Sequence, residues 1–200
     1  MSFRRQMRIL GALGVVFVNA SFLMAQSVSI QTAHDSLQEQ QAKAQLERLL
    51  MQYDTTKYTF TSRVVIEYHA VPHSDPVLTL NTRHFEQDDE ALSTYLHEQI
   101  HWFLDAREGQ AKAAEEDLKK LYPDPPVGGD EGAHDLESDY LHLIVCELER
   151  EADLELLGSD RTEAVMRFWA TDHYKWIYRT VITDHDKIQE VIKKHSLEIS

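Results

Sequence analysis

The chain is 200 residues long, with 34 acidic against 20 basic side chains, 11 histidines and a formal net charge of -14. That acidity argues against nucleic acid or an anionic membrane surface as a partner, and the single cysteine, Cys146, excludes an internal disulfide framework. The length is that of one domain and suffices to enclose one well-buried core.

The amino terminus reads as an export signal. Arg4, Arg5 and Arg8 form a basic region, Ile9 to Val18 an apolar one, and small residues follow at Ala20 and Ala25. This is the order of a secretory signal peptide. Cleavage after Ala25 or after Ala20 satisfies the small-residue requirement, with Ala25 preferred, so residues 1–25 are expected as signal and 26–200 as the folded domain. No cysteine follows either site, which argues against a lipid anchor. The competing reading is an uncleaved anchor, but the stretch from Ile9 to Ala25 is about 17 residues, at the short limit for a span. The expected location is therefore periplasmic or extracellular, without stable membrane insertion after signal removal.

From His34 to Gln52 the composition favours helix, and Leu37, Ala44, Leu46, Leu49 and Leu50 form an incomplete apolar stripe suited to packing. Tyr58 to His69 is rich in Thr, Val, Ile and Tyr. Pro72 to Pro76 breaks that run before a second one, Val77 to Thr82. The pattern predicts a hairpin or two neighbouring antiparallel strands.

Ala91 to Leu104 predicts an amphipathic helix, with Leu92, Leu96, Ile100, Phe103 and Leu104 on one arc. Within it lies His97-Glu98-Gln99-Ile100-His101. Residues four apart sit one turn above each other, so His97 and His101 can reach one ion while Glu98, rotated by about 100°, reaches a water beside it. Zn²⁺ favours imidazole nitrogen, acidifies its water and polarises a carbonyl, and Glu98 would be the general base.

Zinc hydrolysis needs a third protein ligand. The metzincin spacing is excluded, because its glycine and third histidine positions are here Leu104 and Arg107. After a loop from Tyr122 to Gly132 with three prolines and three glycines, an acidic helix is expected from Ser138 to Leu157. Its apolar arc is Leu141, Ile144, Val145, Leu148, Ala152 and Leu156, with Glu147, Arg150, Glu151 and Glu155 turned away. His142, Glu149 and Asp153 fall within about 40° of one another along one edge of the arc, and buried charges at such an edge need partners.

At this point the chain resembles the gluzincin branch of the zincins, the thermolysin-like zinc peptidases. There an HExxH helix is followed by a second helix carrying a glutamate ligand, with an aspartate four residues later supporting a ligand histidine. Glu149 and Asp153 match that spacing. The resemblance covers about Ala91 to Leu157, and it departs from the pattern in having Leu148 where asparagine is usual and a longer gap from His101 to Glu149. It implies His97, His101 and Glu149 as metal ligands and the strand Val77 to Thr82 as the edge strand along which an extended substrate lies. His142 competes as third ligand or as an oxyanion donor.

The segment His173-Tyr-Lys-Trp-Ile-Tyr-Arg179 concentrates hydrogen-bond donors, and Tyr174 and Tyr178, one turn apart, are candidates for stabilising an oxyanion. Cys146 shares the edge of His142 and is read as a small core residue rather than a thiolate ligand. The expectation is a mostly helical α+β domain with a small antiparallel sheet, acting as an exported zinc metallohydrolase on peptide or protein substrates. Two alternatives stand beside it: a zincin-like protein that holds metal without turnover and acts by binding or assembly, and a helical protein without metal.

Overall fold

The computed structural model describes residues 28–200, so the expected signal peptide lies outside the described residues. Ser36 starts the first helix, α1 (Leu37–Gln52), through a capping box. Its hydroxyl accepts from the Glu39 amide, and the Glu39 carboxylate reaches back to the amides of Ser36 and His34. Glu39 also accepts from the amide of Tyr68 at 3.0 Å, which ties this helix start to the chain leaving the sheet.

The sheet has three strands in the order β1 (Ser29–Thr32), β2 (Arg63–Ile66), β3 (Leu78–Leu80), with a single 3₁₀ turn at Thr56–Tyr58 ahead of β2. Both pairings are parallel, with Val64 opposite Ile30 and Leu78 opposite Val64. The expected antiparallel pairing is thus corrected. Glu67 to Val77 is too long for a tight turn and carries the chain back past β2, so β3 starts from the same end. β1 has one apolar residue, Ile30, and enters the sheet because its main chain completes the free edge of β2.

Five further helices complete the described residues: α2 (Asp88–Asp105), α3 (Glu108–Leu121), α4 (Leu136–Leu157), α5 (Ser159–Asp172) and α6 (Lys175–Lys194). The fold is mixed α+β and mostly helical, as expected. Among the described residues no helix is long and apolar enough to cross a membrane.

The apolar residues gather into two cores. One joins the sheet to α1 and the first half of α2 through Val64, Ile66, Leu78, Leu92, Tyr95 and Leu96. The other joins the second half of α2 to α3, α4, α5 and α6 through Ile100, Phe103, Ile144, Leu148, Trp169 and Ile177. On α2 the two cores meet between Leu96 and Ile100, and on α4 between Leu148 and Ala152. His97, Glu98 and Glu149 occupy that seam. One outward assignment on α4 is corrected: Glu147 is buried against Arg150, and burial pushes its pKa up to about 7.

Candidate metal centre

The start of α2 is anchored from both sides. Asp88 pairs with Arg48 and Gln45 of α1, and Asp89 pairs with Arg161 of α5. Carboxylates in a first turn also favour the helix dipole. Inside the motif each residue has a separate task. Ile100 packs in the core, and Gln99 accepts from the amides of Phe60 and Thr61 at 2.7 and 2.8 Å, which fixes the rotation of α2 against the chain entering β2. His97, Glu98 and His101 consequently face the cleft.

The Nε2 atoms of His97 and His101 are 3.3 Å apart. His142 on α4 closes the group, its ring centroid 5.5 Å from that of His97 and 5.1 Å from that of His101. One ring nitrogen from each of the three lies within 4.8 Å of the others. Hydrogen bonds settle which nitrogens carry protons. His97 Nδ1 is 2.8 Å from a Glu149 carboxylate oxygen and His142 Nδ1 is 2.7 Å from the Ser138 carbonyl, so both Nδ1 atoms donate and both Nε2 atoms present lone pairs.

The Nε2 atoms of His97 and His101 face each other at a separation that a shared cation bridges. A proton shared between the two nitrogens satisfies the same pair. Burial opposes charge on His97, but its bonds to Cys146 and Glu149 carry its pKa well above the ordinary value, while burial and the neighbouring His97 hold His101 well below. Burial, reinforced by His97, pushes His142 down to about 3, which keeps that imidazole in the neutral, ligating form. The donor set therefore fits a borderline divalent cation such as Zn²⁺.

Glu149 meets the His97 ring on the edge opposite His101. Its carboxylate is fully buried and accepts from three donors: His97 Nδ1, the Tyr178 hydroxyl at 3.0 Å and the Ser93 hydroxyl, which Trp169 Nε1 holds in turn at 3.0 Å. The expected direct ligand is thus placed behind His97 and groups with Cys146 rather than with His101. Cys146 is wholly buried and burial raises its thiol pKa, consistent with its reading as a core residue. The expectation for Asp153 is corrected. Neither of its oxygens has a hydrogen-bond partner among the described residues, so it orients no imidazole. Burial, with Glu149 nearby, raises its pKa well above normal.

The cleft over this cluster has a volume of about 680 Å³. Glu98 lines it at 6% exposure, and burial pushes its pKa up to about 7, with His97 and His73 opposing that rise. A carboxyl group tuned to that range is suited to general-base work near neutral pH. Tyr174, at φ 49, joins α5 to α6, and its ring lies 4.5 Å from that of His142, tilted by 55°. Tyr178 does not serve as expected, because its hydroxyl is already committed to Glu149.

His173 is the cleft residue that sequence reasoning passed over. Its Nδ1 donates to Asp172 at 2.9 Å, and Asp172 is held by Arg83, which fixes the ring and leaves Nε2 without a partner among the described residues. The only sequence signal was its place in the donor-rich segment; Arg83 lies far away in the chain. The loop Tyr122–Gly132 sets the position of this segment. The carbonyls of Asp130 and Glu131 accept from the amides of Lys175 and Trp176 at 2.9 and 3.0 Å, capping the start of α6. Gly132 permits this path, since a Cβ there would lie 2.0 Å from the Pro126 carbonyl oxygen.

Comparison of the chain with protein-family models, curated protein sequences and solved structures returned no match.

Proposed function

We propose that this chain is an exported zinc-dependent hydrolase that cleaves peptide bonds. The observation that carries the reading is the pair of facing Nε2 atoms of His97 and His101, with His142 closing the group and Glu98 beside it on the cleft wall. His97, His101 and His142 would hold the ion. Glu149 keeps the His97 ring in register by accepting its Nδ1 proton, the arrangement that orients ligand histidines elsewhere.

Bound zinc would supply Lewis acidity, polarising the scissile carbonyl and lowering the pKa of water. Glu98 takes a proton from the attacking water as its oxygen bonds to the carbonyl carbon. It returns that proton to the amine nitrogen as the C–N bond breaks. Tyr174 lines the same cleft, and its hydroxyl is the donor for the carbonyl oxygen as it gains charge, while His173, with its proton on Nδ1, presents Nε2 to the substrate as an acceptor.

Zinc stoichiometry by elemental analysis, together with hydrolysis of a peptide library by zinc-loaded protein, tests this reading. One zinc per chain and cleavage abolished by chelation are expected. One zinc without cleavage would leave the metal-holding alternative, and no zinc would remove both. Export rests on residues 1–25, and amino-terminal sequencing of protein recovered outside the cytoplasm should begin at Gln26. A start at Met1 with membrane association would favour the anchor.

A further inference from the structure

Strand β3 is one of the two outer strands of the sheet, and the outward amides of an edge strand are a template on which an extended peptide can add. Leu80 turns its carbonyl inward, to the amide of Glu67, so Thr79 is the residue that turns outward. Its main chain is already paired. The Thr79 amide donates to the His73 carbonyl at 2.8 Å, and the Thr79 carbonyl accepts from the His73 amide at 3.0 Å. Thr79 is 4% exposed, and the cleft wall is formed by residues 70–75 in its place.

This wall is pinned at both ends. Asn81 Nδ2 donates to the Ala70 carbonyl at 3.2 Å and Trp102 Nε1 to the Ser74 carbonyl at 3.0 Å, while His73 Nδ1 bonds the Val71 carbonyl at 2.8 Å. Pro72 has no amide hydrogen. The carbonyls of Ala70, Val71, His73 and Ser74 are therefore all committed within the protein, and residues 72 and 74, which turn away from β3, keep only the Pro72 carbonyl and the Ser74 amide, so the alternating donor–acceptor ladder of an edge strand is broken.

We infer that residues 70–75 fill the place along β3 that an extended substrate would take, and that the site accepts short peptides or peptide-like amides held through side chains and termini. This rests on the hydrolase reading. The cleft of about 680 Å³ lies within the size range of pockets that enclose small ligands. With that ladder broken, strand addition does not set the length of peptide recognised.

Zinc-loaded protein titrated calorimetrically with hydroxamates bearing one, three and five peptide residues tests the inference without turnover. The native protein should bind all three within about twofold. Each main-chain pair gained by strand addition would instead strengthen binding by about tenfold. A rise of that size in the native protein overturns the inference and leaves the hydrolase reading intact. Absence of any hydroxamate binding overturns both. In the double variant Asn81→Ala, Trp102→Phe, which releases both ends of the wall, affinity should begin to rise with length, and the native series decides the question alone if that variant does not fold.

Discussion

Replacing Glu149 and His142 in parallel separates the group that binds metal from the group that holds a ligand in place. Glu149→Gln keeps the side-chain volume but sets an amide among three donors: His97 Nδ1, the Tyr178 hydroxyl and the Ser93 hydroxyl. The lost support for His97 should cost about 10- to 100-fold in zinc affinity, which corresponds to about 1.4–2.8 kcal/mol. One donor left facing the amide nitrogen in a dry interior should also destabilise the fold by about 1–3 kcal/mol. His142→Ala deletes one of the three nitrogens that converge and should exceed the hundredfold loss while leaving the buried carboxylate network untouched. Glu151→Ala, whose carboxylate pairs with Arg150 away from the site, should leave affinity unchanged. Competition with a chromophoric chelator at fixed pH reads the affinities, and circular dichroism reads the fold. Native affinity in His142→Ala, with loss of metal in Glu149→Gln, would show that the carboxylate is the third ligand and would refute the placement argued from the ring tautomers.

Glu98→Gln should retain zinc while peptide hydrolysis falls by about 10²- to 10⁴-fold; a variant that loses its metal would place Glu98 among the ligands. Hydrogen bonds from the backbone of Tyr68, Ser36 and His34 hold the Glu39 pKa down to about 2 against a usual 4.5. Because the folded value is depressed, the stability it contributes is present above 4.5 and is lost as pH falls towards 2, so the gap in denaturant midpoint between wild type and Glu39→Gln should close across that window. A gap independent of pH would refute the capping-box account. Gly132→Ala forces a methyl group against the Pro126 carbonyl and should lower the melting temperature, with a destabilisation of about 1–3 kcal/mol; an unchanged melting curve would mean that the loop has another path.

The helices bearing the site were legible in the chain because their signal is local. The 3.6-residue period of Leu92, Leu96, Ile100 and Leu104 fixes which face of α2 is buried, and that in turn sets the direction of His97 and His101. The edge of α4 that carries His142 and Glu149 follows in the same way. The direction of the sheet was not legible. Strand composition is the same for either pairing, and only the course of residues 67–77 around β2 made it parallel. β1, with its single inward residue, left almost no trace in the sequence.

Residues alone determined that two histidines and a carboxylate share one helical turn, and that a second helix brings polar groups along one buried edge. Tertiary structure decided their roles, because a hydrogen bond assigns one ring nitrogen to a carboxylate and frees the other, and the angle at which α4 crosses α2 is a property of packing. That crossing set His142 against the open nitrogens and Glu149 behind His97. It also turned Tyr178 inward to the carboxylate and left His173, supported by Asp172 and distant Arg83, facing the cleft. Helical period gives the direction of a side chain from its own axis; what it meets there depends on another segment, whose position the period does not contain.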